Sequence, residues 1–336
     1  MLAVVCVEPG KLQVEERAEP AAESGMVKLR IKRIGICGTD YHIYKGLHPF
    51  LEYPRVIGHE LSGEVAEAPE GCDLKVGETV IVNPYINCGE CVACLKDKPN
   101  CCSNIRVLGV HTDGGLCEYI NVPARQLYPA NGLSVDQAAM VEFLAIGAHG
   151  VRRGEVKQGD KVLVVGAGPI GLGAALFASV AGAEVAMLDI SEKRIETAKS
   201  LIPGITGFTA SDKNAQEFSD HTNGDLFDVV MDATGNRRAM ESSITYVAHG
   251  GSCVFISVVK DDIVFHDPLF HSREMRLIGS RNATRVDFEH VIDCFNKGLI
   301  PSDKLLTHRA TLNDAPTKIP SWLNEQDTLI KAVVEV

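Results

Sequence analysis

The stretch that leaves this chain least freedom runs from Lys161 to Asp189. Lys161-Val-Leu-Val-Val165 is an unbroken apolar run, the pattern of a strand covered on both faces of a parallel sheet. It passes directly into Gly166-Ala-Gly168-Pro169-Ile170-Gly171, then into an apolar helix-like stretch over residues 172–181. A second apolar strand over residues 184–188 ends at Asp189. Buried runs at 227–231, 253–258 and 275–278 supply more strands of the same kind, so the middle of the chain reads as a doubly wound parallel α/β sheet.

The glycine spacing adds chemistry to that fold. Gly166 permits a tight turn, Gly168 lets backbone approach a pyrophosphate, and Gly171 lets the helix pack on the strand. Pro169 and Ile170 open the helix, whose N-terminus turns its partial positive charge toward phosphate. An acid about twenty residues on makes the pattern specific: the Asp189 carboxylate accepts hydrogen bonds from both adenosine ribose hydroxyls and repels a 2′-phosphate. The bound dinucleotide is therefore expected to be NAD rather than NADP, with Arg194 as a further cofactor contact.

The first third has a different grammar. Residues 1–7, 11–17, 27–32, 61–66, 78–82 and 116–122 read as short strands separated by turn signals such as Pro69-Glu-Gly71, an antiparallel, barrel-like region. After Ser280 the text is mixed, with an amphipathic helix over 288–296 and a closing strand over 330–336. That strand is assigned to the opening domain, which makes the nucleotide-binding unit an insertion: one domain over 1–150 and 286–336, the other over 151–285.

Metal-binding vocabulary occurs twice in the first domain. Cys37-Gly-Thr39-Asp40-Tyr-His42 is followed by Gly58-His59-Glu60, and a thiolate beside imidazole suits zinc better than magnesium or calcium. Cys88-Gly-Glu-Cys91-Val-Ala-Cys94 with a fourth cysteine at Cys101 or Cys102 leaves no open coordination position, so it is a structural staple for a lobe over about residues 86–104. An iron–sulfur cluster uses the same four thiolates, and free thiols or a redox pair are the blander reading. Eleven cysteines, an odd count, argue against a disulfide framework, and the six outside these two groups show no ligand spacing.

A net charge of −11 offers no basic stripe for nucleic acid. No apolar run reaches the roughly eighteen residues of a membrane span, and the start lacks a charged leader, so a cytoplasmic protein is expected.

Taken together, Gly35-Ile-Cys37-Gly-Thr-Asp40, Gly58-His59-Glu60, the cysteine lobe, the Glu142 segment and the Gly166–Gly171 turn resemble the zinc-dependent medium-chain alcohol and polyol dehydrogenases over essentially the full chain. The resemblance implies a GroES-like β-barrel catalytic domain, a Rossmann domain, two zinc ions per chain and a homodimer or homotetramer. It implies Cys37, His59 and Glu142 as ligands of a catalytic zinc, with Glu60 able to approach the ion. Cys88, Cys91, Cys94 and Cys102 become the ligands of the structural zinc. Thr39 then His42 would carry the released proton to solvent, and Asp40 would orient His59. Phe143 stands where the family has proline.

Segments at 46–59, 107–115 and 279–283 are similar to a bacterial subgroup acting on sugar acids, which implies oxidation of a secondary hydroxyl of L-gulonate, ranked ahead of L-galactonate. The loop over 46–53 is a candidate for choosing the substrate. Lys45, Arg106 and Arg281 are candidate partners for a substrate carboxylate. A sorbitol-type or L-threonine dehydrogenase is the rival of the same class, and a non-catalytic NAD-binding sensor the rival of another.

Overall fold

The computed structural model describes residues 1–48, 51–325 and 327–336. Two compact units emerge: Met1–Glu142 with Thr284–Val336, and Phe143–Ala283. The first boundary falls eight residues earlier than the end of the sequence-assigned domain at 150, inside the helix Val141–Arg153. Its glycines explain the difference. A side chain at Gly147 would strike the backbone of Gly173 and Ala174, one at Gly150 would strike Ile256, and one at Gly154 would crowd Val229 and Val254. That glycine face packs the helix on the parallel-sheet unit, a use of glycine that hydropathy cannot show.

In the second unit six parallel strands run in the order Thr206–Thr209, Glu184–Asp189, Lys161–Val165, Phe227–Asp232, Val247–Phe255, Arg276–Gly279. Counted along the chain, this is the 3-2-1-4-5-6 order of the doubly wound dinucleotide folds. Apolar residues from the inner strands, including Leu163, Val230 and Cys253, join Phe218 and Phe227 in its core. The helix after the glycine turn, Pro169–Val180, is almost wholly buried, which is why it carries no polar face.

The first unit holds a seven-stranded sheet and a three-stranded one. The long strand Met26–Ile36 is its axis, pairing antiparallel with Glu60–Glu67, Tyr119–Pro123 and the closing strand Lys331–Glu335. In the mixed stretch after Ser280, Lys331–Glu335 also lies parallel to Leu306–Thr311, which adds a parallel pair to this otherwise antiparallel sheet. Alternation along Met26–Ile36 buries Val27, Leu29 and Ile31, and the same core includes Ile34, Val65 and Val334.

Candidate metal centre and dinucleotide turn

Three strands and one helix start converge to build the candidate centre. Met26–Ile36 ends at Ile36, and Cys37 caps the short helix Gly38–Tyr44. Asp40, in the first turn of that helix and fully buried, accepts from the Cys37 backbone N–H at 2.9 Å and from the Gly58 N–H at 3.1 Å. One carboxylate thus clamps both chain segments that present donors. Gly58 takes φ +92°, and a side chain there would meet Ile34 Cγ2 at 2.8 Å, so the turn before His59 requires glycine.

The donor atoms of Cys37, His59 and Glu60 all lie within 4.8 Å of one another. His59 is buried, and its Nδ1 has no hydrogen-bond partner among the described residues; Asp40 Oδ1 stands 3.9 Å away. Burial opposes charge on the imidazole, but Asp40 and a hydrogen bond with Cys37 outweigh it and raise its pKa well above the ordinary value. Glu142 is buried as well, and the Tyr85 hydroxyl donates to its Oε1. Burial drives the Glu142 carboxyl up to about 7, against the pull of His59. Glu142 stands outside the three-donor group.

Two residues that sequence reasoning passed over complete this neighbourhood. Tyr85, on the strand Tyr85–Ile86, holds Glu142. Lys331, at the start of the closing strand and only 2% exposed, donates to both Glu60 oxygens at 2.7 Å and to the Ile36 carbonyl at 3.3 Å. A lone lysine opening an apolar strand reads as a solvated end, so no local signal marked it. Lys45, Arg106 and Arg281 are all exposed instead. Thr39 is half-buried and His42 exposed, three residues apart on the same helix and hence on one face. In the loop considered for substrate choice, Pro49 and Phe50 lie outside the described residues.

Zinc fits this set: a half-buried thiol converges with a buried imidazole and a buried carboxylate, and Asp40 faces the imidazole from behind. The second cluster fits as well. Cys88, Cys91, Cys94 and Cys102 converge, while Cys101 is exposed. Sulfur separations of 3.4 Å for Cys88–Cys102, 3.5 Å for Cys91–Cys94 and 4.0 Å for Cys88–Cys94 bracket the edge of about 3.8 Å that a Zn–S bond of about 2.3 Å requires. Backbone N–H groups of Cys88, Cys91 and Asn104 point at these sulfurs. The hydrogen bonds made by Cys91, led by that from the Cys94 backbone, lower its thiol to about 5.

In the second unit Gly166 takes φ +99°, and a side chain at Gly171 would lie 1.8 Å from the Gly166 carbonyl oxygen. At Gly168 nothing stands within 4 Å of an added Cβ, leaving the approach open. Gly168 caps the helix and Pro169 begins it. Asp189 is spoken for on both oxygens: Ala167 N–H donates to Oδ2 at 2.7 Å and Ser191 N–H to Oδ1 at 2.8 Å. It braces the turn besides presenting a carboxylate at the strand end. Arg194 sits half-buried in the following helix, Glu192–Leu201.

Comparison with known proteins agrees with both halves. Residues 23–132 match the family described as alcohol dehydrogenase GroES-like domain, and residues 169–297 the zinc-binding dehydrogenase family. The chain is 42% identical over 339 residues to the L-galactonate-5-dehydrogenase of Escherichia coli K12, covering 99% of this chain and 98% of the relative. It is 32% identical to the 2-dehydro-3-deoxy-L-galactonate 5-dehydrogenase of Pseudoalteromonas atlantica, with 94% and 93% covered. A solved alcohol dehydrogenase, RspB of Escherichia coli CFT073 complexed with NADH, superposes with a TM-score of 0.94 at 31% identity, covering 100% of this chain and 99% of that one. The parallel sheet with its glycine turn, the thiol and imidazole set beside strand ends, and full-length likeness to such enzymes place this chain in the zinc-type medium-chain alcohol dehydrogenase family, the oxidoreductases built from a GroES-like and a Rossmann-like domain.

Proposed function

We propose that this enzyme oxidises a secondary hydroxyl of a sugar acid with NAD, L-galactonate to D-tagaturonate first and L-gulonate to D-fructuronate second. The observation that carries the metal-assisted reading is the half-buried Cys37 thiol beside the buried His59 imidazole, flanked by two buried carboxylates. Two relatives named for galactonate-type substrates support the substrate class and move L-galactonate ahead of L-gulonate. The coarser reading, a dehydrogenase of sugar acids or polyols, stands beneath it.

Cys37, His59 and Glu142 are the proposed ligands of a catalytic zinc, and Cys88, Cys91, Cys94 and Cys102 those of a structural one. When bound, zinc supplies Lewis acidity toward a hydroxyl and NAD supplies the hydride acceptor. The chain's own residues do the rest. Asp40 holds the segments carrying Cys37 and His59 in register through their backbone N–H groups. Thr39, half-buried, takes the hydroxyl proton and His42, exposed on the same face, releases it to water. The glycine turn of residues 166–171 with Pro169 and Ile170 receives the pyrophosphate, Asp189 the ribose, and Arg194 lies alongside.

The first unit is the proposed catalytic domain and the second the NAD-binding domain. A cytoplasmic homodimer or homotetramer is the proposed form; no helix among the described residues is long and apolar enough to cross a membrane.

Steady-state assays with NAD across L-galactonate, L-gulonate, sorbitol and L-threonine test the reading. The expected outcome is kcat/KM for a hexonate exceeding that for sorbitol by at least about a hundredfold, because a site whose polar groups are made for a substrate rejects an analogue that leaves them unpaired by as much as about 10⁴-fold or more. Comparable values on sorbitol would sink the sugar-acid assignment.

A further inference from the structure

Two buried carboxylates crowd the same thiol and imidazole, and a zinc site that keeps a position open for substrate can use only one of them as its third protein ligand. Proximity alone would choose Glu60, since it is the acid grouped with Cys37 and His59 within 4.8 Å. The partners of the two acids differ in kind. Glu142 is held by a phenol, which orients the carboxylate without cancelling its charge. Glu60 is held by an ammonium, with both oxygens 2.7 Å from Lys331 Nζ.

We propose that Lys331 is a positioning residue that decides which carboxylate completes the metal centre: by binding Glu60 it leaves the third ligand position to Glu142. The proposal rests on the assignment of Cys37, His59 and Glu142 as donors.

Three features make the restraint firm. The three protons of Lys331 have three acceptors, the two Glu60 oxygens and the Ile36 carbonyl, so the ammonium is fully used. Glu60 is fully buried and Lys331 nearly so, hence water does not weaken the pair, and removing one partner would leave the other as an uncompensated buried charge. Gly35 makes room for the arrangement: opposite Glu60 in the sheet register, it would carry a Cβ 2.0 Å from Glu60 Oε2 if it were any other residue. The glycine of the Gly35-Ile-Cys37 motif thereby accommodates the Glu60 carboxylate where Lys331 holds it.

The test measures zinc affinity by chelator competition and the visible spectrum of the Co2+-substituted enzyme. Cys37→Ala serves as the control for the centre itself. If Cys37→Ala retains as much zinc as wild type, the donor assignment fails; if it loses one equivalent, the remaining variants judge Lys331. Glu142→Gln should weaken the catalytic equivalent by about 10- to 100-fold, while Glu60→Gln, which keeps an acceptor for Lys331 but leaves its ammonium without a counter-charge, should weaken it less, by at most about fivefold. Combining Glu142→Gln with Lys331→Met should recover at least about tenfold of the loss, because Glu60 is then free to bind, and Lys331→Arg in the same background should not. Lys331→Met alone should alter the Co2+ spectrum toward higher coordination. A purely structural lysine predicts the opposite sign, weaker metal binding in every Lys331→Met variant, and that result would overturn the proposal. So would a Glu60→Gln loss as large as that of Glu142→Gln, a comparison that decides the matter even if the Lys331→Met proteins do not fold.

Discussion

At the scale of single residues, the motif glycines and the metal-type donors were legible because each is demanded by a local chemical constraint. Gly171 must be bare because the Gly166 carbonyl lies where its side chain would go. Asp189 is expected to accept from ribose by its distance beyond the turn; its bonds to Ala167 and Ser191 were not legible, since they depend on how the loop closes. This double duty shapes an expectation for Asp189→Ala. Losing hydrogen bonds to a charged acceptor costs about 1.5–3 kcal/mol, so the ratio of kcat/KM for NADP to that for NAD should rise by at least about tenfold, with some loss of absolute affinity for both. Initial-rate kinetics with each cofactor check it, and an unchanged ratio would remove Asp189 from the discrimination.

At the scale of elements, the short helix Val135–Ala139 is tied into the first unit by its own acid. Asp136 accepts from Arg33 Nε at 2.7 Å and from Arg309 Nη2 at 2.5 Å, and Arg309 reaches Glu335 at 2.7 Å, so alternating charges link this helix to three strands. The hydrogen bond from Arg309, with help from Arg33, lowers the Asp136 pKa below its usual 3.8. A depressed carboxylate stabilises the fold fully above the unfolded value and loses that contribution as pH falls through the folded one. Asp136→Asn should therefore cost about 1 kcal/mol at neutral pH, allowing for partial solvent screening, and the gap from wild type should close as pH drops below about 4. Urea titrations across that range measure it; a gap that persists at low pH would mean that packing, not charge, carries the contribution. None of this network was visible in the sequence, because Arg33, Asp136, Arg309 and Glu335 come from four separate segments.

For the whole molecule, the dominant fact is that residues 331–335 form a strand beside residues 33–36, nearly the full chain apart. Contacts of such separation are formed late and slowly. Removing residues 331–336 would take away an inner strand of the seven-stranded sheet, the one paired with residues 33–36 just before Cys37. The truncated protein is expected to lose catalytic zinc and most of the first unit's cooperative unfolding signal. Calorimetry together with metal analysis checks this, and wild-type zinc content in the truncated chain would contradict the closing strand's role. The first unit's discontinuity was readable from the strand-like ending of the chain. Its boundary was not, because Gly147, Gly150 and Gly154 look like ordinary helix interruptions until their packing partners are known.

The sequence by itself determined the parallel sheet, the glycine turn with its acid, the four-cysteine lobe and the pairing of Cys37 with His59, because periodicity, glycine placement and ligand spacing act over a few residues to a few tens. Only the tertiary structure decided the state of the two acids beside that pair. Tyr85 meets Glu142 and Lys331 meets Glu60 across 57 and 271 residues. The physical reason is that a buried charge takes its character from whatever compensates it, and here both partners arrive through the fold rather than along the chain.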